Sequence, residues 1–477
     1  VLFETSPTTA LHGAPTAETR LLVADAATTG TTSAFQCVTV AVTQSPPDRL
    51  YPNRGTDGGG PRGLSRRHLL ASGATASAVA AAGCAGDGGS ELADDTDAST
   101  PTDEQPTVFV FNTGDGTVSL IDPASNEVVG SRAIELSSSF PSNQYTPALT
   151  DESEDALWLN VAQGVRALTA GTLDEVARVD TGSGANWQEQ TPGGSHIVVS
   201  AREPSHTNYR IDADRDSETF GEVTGELDRV GEGGRGDTDG PGPCDVTVHP
   251  DGEYAYVPDL FGDTLTVLSI DPFKIETQIA VEGVVDDAAA PWMATIAPDG
   301  ETMLVEHNEG DDGTESIWDV SDPASPTEQV RLTTDDGLGS GALTSEIGPD
   351  SETGYVFTPG SNDVSVIDLA ASTVTDRIDL GGSAFVGTWN PSQTSLYVPV
   401  QTNDEVAVID HPAGELVERI DVGASPYGAT AATVRPATDA ASTMAVALAR
   451  LGLAASTAET TYCIGNCACG HTFATDQ

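Results

Sequence analysis

Lysine is almost missing from this chain: Lys274 is the only one in 477 residues. In all, 20 basic residues oppose 73 acids, for a formal net charge of -53. Nucleic-acid binding needs clustered Lys and Arg to displace counterions, so this balance argues against a nucleic-acid partner. So acidic a chain repels itself in dilute buffer and needs concentrated salt to screen the repulsion. It reads as the solvated, salt-adapted surface of a halophile's protein. Long apolar runs are missing too, and the stretch Ala71 to Gly83 is too short to cross a bilayer. No G-x-S-x-G elbow, P-loop or strand-to-helix G-x-G-x-x-G occurs, which removes the familiar nucleophile and phosphate-cradling motifs. A C-x-x-C-H haem attachment motif is also absent. Helical periodicity is scarce, whereas 50 glycines and 29 prolines suggest many short strands joined by turns.

Charge is uneven along the chain. Residues 1–63 hold five acids and four arginines, and every other acid lies after Cys84. Between them come Arg66-Arg67, then Leu69-Leu70, the small-residue run, and Ala81-Ala82-Gly83-Cys84. A twin arginine, an uncharged segment of modest length and a small-residue cleavage site, in that order, make an export signal. Ala81-Ala82-Gly83-Cys84 resembles the lipobox of secreted lipoproteins, in which the cysteine is lipidated and becomes the mature N-terminus. The resemblance implies a membrane partner through lipid on Cys84 and a place on the outer face of the cell membrane. Residues 64–84 are thus the signal, and the near-neutral residues 1–63 are expected not to belong to the mature protein. Residues 85–106 carry seven acids and no base. Such a segment cannot bury enough apolar surface to order itself and is expected to be a disordered acidic tether.

From Thr107 to Pro436 the chain repeats a unit of about 40 residues, the length of a four-stranded propeller blade. The clearest copy, after Pro243, reads CDVTVHPDG, EYAYVPDLFGD, TLTVLSID and PFKIETQIAVEG. Similar copies start at Ala342 and Phe385, and weaker ones cover Tyr145 to Gly182, Trp187 to Leu227 and Trp292 to Leu332. Each combines period-2 strands with a Pro-Asp-type turn and a polar Asn/Asp loop. The first copy, from Thr107, lacks its opening strand, and the last is followed by an orphan one, Pro426 to Val434. Joining the two ends gives an all-β, seven-bladed propeller closed by strand exchange between its termini.

These copies resemble the YVTN-type repeat of surface-layer and cell-envelope propellers, with a PDG turn, a YV strand, a VSVID strand and a terminal I-x-V-G. The resemblance covers residues 107–436 and implies architecture only. Related propellers include the haem domain of nitrite reductase, quinoprotein amine dehydrogenase subunits and sugar-lactone hydrolases, so function does not follow from the fold. In such blades the loop between second and third strands shares a face with the linker into the first strand. On that face the resemblance places Asn112, Trp187, His206, Cys244, Trp292, His307, Asn308, Asn362, Asn403 and Tyr427. Aromatics with imidazole and amide groups around one funnel would make an amphipathic pocket. Packing between blades is the plainer role for the tryptophans, as burial is for Cys244. The acidic stretch Glu309-Gly310-Asp311-Asp312 has the residue types of a Ca²⁺ loop, although a chain this acidic makes such clusters by chance.

Past Pro436 the repeat stops, and residues 437–477 form an Ala-rich segment and a Cys/His tail. Cys463, Cys467, Cys469 and His471 match the ligand types of a zinc or other soft-metal site. Their spacings differ from those of the usual knuckles, two of the three being tighter, and disulfides or a read-through remain alternatives. Two functions from different classes follow. The first is a lipid-anchored binding or scaffold module for an envelope protein, a glycan or a cation, without catalysis. The second is a redox propeller holding haem or a quinone in its funnel, which in the haem version needs His206 or His307 as axial ligand.

Overall fold

A four-stranded sheet with apolar residues on both faces hides them only if another sheet lies on each side. A ring of wedges meets that demand. The computed structural model describes residues 104–134 and 150–451, apart from positions 162, 184, 237 and 439. These residues form seven sheets arranged as a seven-bladed propeller. Blade 1 holds β1 (Thr107–Asn112), β2 (Thr117–Asp122) and β3 (Glu127–Ala133). Blade 2 holds β4 (Ala156–Val161), β5 (Gly164–Thr169) and β6 (Glu175–Asp180); its expected opening strand falls outside the described residues. Blade 3 runs through β7 (Ala185–Gln190), β8 (His196–Ala201), β9 (Thr207–Asp212) and β10 (Val223–Asp228). Blade 4 has β11 (Thr247–Val248), β12 (Tyr254–Asp259), β13 (Thr264–Ser269) and β14 (Lys274–Ala280). Blade 5 has β15 (Pro291–Ile296), β16 (Thr302–His307), β17 (Thr314–Asp319) and β18 (Thr327–Leu332). Blade 6 has β19 (Thr344–Ile347), β20 (Thr353–Thr358), β21 (Asp363–Asp368) and β22 (Thr373–Asp379). Blade 7 has β23 (Thr388–Trp389), β24 (Ser395–Val400), β25 (Glu405–Asp410) and β26 (Glu415–Asp421). Then come β27 (Pro426–Ala432) and the helix α1 (Ala440–Arg450).

β27 crosses back to blade 1. It pairs antiparallel with β1, Thr107 opposite Ala432 and Phe111 opposite Gly428, and so supplies that blade's innermost strand. The expected exchange between chain ends is therefore the closure of the ring.

Burial follows the wedge. The second strand of a blade is covered on both faces, as in β16 and β12, whereas the outermost strand β14 alternates between exposed and half-buried residues. Each seam between neighbouring blades holds its own apolar cluster. Blades 1 and 2 meet at Phe109, Leu120 and Leu157, blades 2 and 3 at Trp158 and Val199, and blades 3 and 4 at Val198 and Val246. Blades 4 and 5 share Tyr256, Met303 and Trp318, blades 5 and 6 Leu304, Ile317 and Ile347, and blades 6 and 7 Tyr355, Phe357 and Trp389. The last seam, blade 7 against blade 1, joins Tyr397 and Val408 to Val110 and Ala431.

Two local devices recur. Where third and fourth strands pair, the register slips after a valine of the third strand: Val267/Leu268, Val366/Ile367 and Val408/Ile409 all sit at such a slip. A bulge there raises the twist that a wedge needs. In the PDG turns, Asp251 and Asp299 accept the backbone N–H two residues on, from Glu253 and Glu301, while Gly252 and Gly300 take φ +74. Only a residue without Cβ adopts that conformation without strain.

The innermost strand of each sheet also leaves one backbone edge unpaired. Side chains from the preceding blade cover it. Glu189 of β7 accepts from the Val248 N–H at 2.8 Å, and Asp245 accepts from the Ala294 N–H at 2.6 Å. Further round, the Thr295 hydroxyl donates to the Ser345 carbonyl at 2.9 Å, and that of Thr344 donates to the Phe385 carbonyl. This girdle runs from blade 3 to blade 7.

If β27 closes the ring, a chain ending at Gly423 leaves the β1 edge bare. It is expected to melt at a lower temperature than the full chain and to aggregate as concentration rises, measured by thermal denaturation with light scattering.

Candidate functional site

Segments that enter an innermost strand and loops that join second to third strands meet on one face of the wheel, the mouth. Their backbones are tied together there: the Asn308 N–H donates to Ala290, that of Leu260 to Gly242, and that of Gln401 to Ser383. Into this face the innermost strands send Cys244, Trp292, Leu343, Phe385 and Tyr427, all buried, with Trp187 half-buried beside them. Cys244 is 2% exposed, Trp292 1% and Tyr427 2%. Phe385 and Tyr427 stack with ring centres 5.1 Å apart. Met293, Val386, Leu260 and Phe261 complete the cluster. Among the described residues these side chains pack on one another as an apolar plug, and the strand that blade 2 would add to it lies outside them. The Arg202 guanidinium, itself buried, lies 3.5 Å from the Cys244 sulfur and 2.7 Å from Glu203.

The histidines and amides of the mouth are engaged in the scaffold. His206, at φ +45, accepts at Nδ1 from the Gly242 N–H at 3.2 Å, and its ring crowds Gly240. Burial holds its pKa below the ordinary imidazole value. His307 is fully buried, with Nδ1 donating to the Ala289 carbonyl at 3.2 Å and Nε2 2.7 Å from the Ser316 hydroxyl. Burial, helped by the nearby Arg331 charge, holds it well below the ordinary value, so it is neutral and both ring nitrogens have partners. Asn112 is buried and donates to Thr117 and Ser119, each at 3.0 Å. Asn362 and Asn403 stay exposed on the rim; Asn362 accepts from Ser383 at 3.1 Å and Asn403 donates to Glu405 at 3.2 Å.

The acidic stretch has a different role from the one its residue types suggested. Glu309 is buried and saturated: Oε1 accepts the backbone N–H groups of Val284, Val285 and Asp286. Its Oε2 takes the Thr314 hydroxyl at 2.9 Å and Arg331 at 2.7 Å. A carboxylate so occupied has no oxygen to spare for Ca²⁺. It is a clamp on the loop before β15, and the clamp turns Val284 and Val285 outward, 56% and 55% exposed. Beside them a cleft of about 420 Å³ is lined by Asp286, Asp311, Asp312, Thr314, Thr333 and Thr334, among others. Among the described residues, no three of His, Cys, Asp and Glu converge as metal ligands.

Sequence reasoning missed Met293, Leu343, Phe385 and the Glu309 clamp. A signal for the first three existed. Aligning the blade openings puts Cys244, Trp292, Leu343, Phe385 and Tyr427 next to their strand bulges at one register. Trp187 is one step further along, since it faces Ser200 across the sheet where Met293 faces Glu306. Arg66, Arg67 and Cys84 lie outside the described residues, as do Cys463, Cys467, Cys469 and His471.

A scan of protein-family models matches none, and no curated protein matches in sequence. Solved structures match in fold. The periplasmic gluconolactonase of Pseudomonas aeruginosa is 15% identical, with 69% of this chain and 99% of that one covered at a TM-score of 0.55. A Lactobacillus plantarum protein gives the same identity, coverage and TM-score. A functionally unknown protein from Desulfotomaculum acetoxidans is 13% identical over 69% of this chain and 99% of its own, at 0.53. The chain is a seven-bladed propeller that resembles lactonase-type propellers. At such identity the likeness shows fold alone.

A plug and a rim respond differently to truncation. Trp292→Ala is expected to cost about 3–5 kcal/mol of stability, whereas exposed Asn403→Ala is expected to stay within about 0.5 kcal/mol. Denaturant unfolding in concentrated salt measures both.

Proposed function

We propose that this chain is an exported, lipid-anchored propeller that binds an envelope protein or glycan on its mouth face, without catalysis. The observation that carries this reading is the exposed valine pair held rigid at the mouth by Glu309. Binding there uses a surface held in one shape, because Glu309 fixes the loop through three backbone N–H groups before any partner arrives. The neighbouring carboxylates of the cleft favour a partner with positive charge near an apolar patch. Export and anchoring are supported by Arg66, Arg67, the small-residue run and Cys84, and the acidic residues 85–106 would give the head reach from the membrane. No described helix is long and apolar enough to cross a membrane.

Haem or quinone in the funnel has less support. Its axial candidates His206 and His307 are tied into the scaffold. A lactone hydrolase finds no ligand set among the described residues, whatever the fold it shares.

Two measurements test the reading. Val284→Asp with Val285→Asp is expected to weaken binding to isolated cell envelopes about tenfold or more, at unchanged melting temperature, because both side chains are exposed. Unaltered binding, or a purified protein that absorbs in the visible range, counts against it. Separately, Cys84→Ala is expected to move the protein from the membrane fraction to the soluble one, with intact mass of the native form showing lipid on a chain that begins at Cys84.

A further inference from the structure

Among the buried acids of blades 3 to 5 are Glu189, Asp245, Glu306 and Glu315, none of them in an ion pair among the described residues. Glu189 and Asp245 each receive a backbone N–H from the next blade. The other two do not. Glu306 and Glu315 are directly opposite one another on β16 and β17, and both are 0% exposed. The Ser345 hydroxyl of β19 is within reach of Glu306, whereas neither carboxyl oxygen of Glu315 has a hydrogen-bond partner among the described residues. Side-chain alternation puts them on the face of Leu304 and Ile317, which is the seam with blade 6.

Like charges opposite each other in a sheet repel, and a dry, unpaired carboxylate is far less favourable than its protonated form. We propose that Glu306 and Glu315 are a proton-held latch: protonated, the pair is neutral and lets blades 5 and 6 close, and its ionisation at alkaline pH loosens that seam.

The surroundings offer little counter-charge. From β18, Arg331 draws on Glu315, but its guanidinium lies 2.7 Å from Glu309 and 2.7 Å from Glu328. From blade 6 the facing charges are Asp363 and Arg377, which pair with each other. Glu346 follows Ser345 on β19, and alternation turns it toward blade 7. On the blade 4 side, His307 is neutral, while Asp245 and, beyond it, Glu189 add only further acid. Desolvation accordingly raises both carboxyls above the usual range, and Glu315 is raised further by Glu306. The same desolvation pushes Glu189 up to about 8 and raises Asp245 well above its ordinary value. A raised acid keeps its proton in the folded state while the unfolded chain has already released it. Its stabilisation is whole below the ordinary carboxylate range and is lost as pH rises through the folded value.

The test is thermal unfolding of the full chain in concentrated NaCl, from about pH 5 to about pH 9, for the native sequence and for Glu306→Gln with Glu315→Gln. The native midpoint is expected to fall with rising pH. The double variant is expected to keep about half of that fall, from Glu189 and Asp245. An equal fall in both overturns the proposal. Should the variant not fold, infrared spectra of the native protein and of Glu306→Gln alone at neutral pH decide: Glu189 and Asp245 hold protons there too, so the expected sign is the part of the protonated-carboxyl band that the single variant loses. If that part is missing and the midpoint instead depends on which monovalent cation is present, a bound cation holds the pair and the latch is overturned.

Discussion

Every blade here is a sheet that cannot stand alone. Its second and third strands are apolar on both faces, and its innermost strand has a bare backbone edge. The faces are covered by the neighbouring blades through the seam clusters, and from blade 4 to blade 7 the edge is met by a girdle side chain of the blade before. A rule satisfied only by a neighbour has no natural end in a linear chain, so the array must close. β27 does this by lending the last piece of chain to the first blade, which makes the two ends one blade and leaves no terminal wedge exposed.

Closure also explains why apolar side chains gather at the mouth. As seven wedges converge, the positions nearest the axis come together from different blades, and residues such as Trp292, Phe385 and Tyr427 meet whether or not a ligand is intended. Apolar side chains there pack into a plug, and polar ones such as His206 and His307 are drawn into the girdle and loop contacts. What is left for a partner is the rim, where segments between blades are longer and side chains face water. The Glu309 clamp shows how a rim can be rigid without being buried: one carboxylate organises three backbone N–H groups and the loop follows.

Much of the architecture was legible in the sequence, because the wedge imposes a local pattern. The bulge after a third-strand valine, the Asp-Gly turn and the alternating outer strand each have a physical cause confined to a few residues, and they recur often enough to be counted. The orphan strand at Pro426 was visible for the same reason. The mouth was harder to read. Burial of Trp187 or Cys244 depends on what five other blades place opposite, and no spacing within one blade carries that information. The bulge also shifts Trp187 by one residue relative to Trp292, which hides their different registers.

The buried acids were hidden by their own abundance. In a chain with 73 carboxylates, an acid reads as surface, and for most of them water and salt make that reading right. Glu306 and Glu315 break it, yet the pattern around them says so. Glu306 shares a strand face with Leu304, and Glu315 shares one with Ile317, so the alternation that places the leucine and isoleucine in the seam places the acids there too. Salt cannot reach them to screen their charge. A proton is the smallest counter-charge that fits between two directly opposed strands, and it differs from a buried arginine in one respect: it leaves when the medium turns alkaline. In the proposed latch, the seam between blades 5 and 6 is thereby tied to pH.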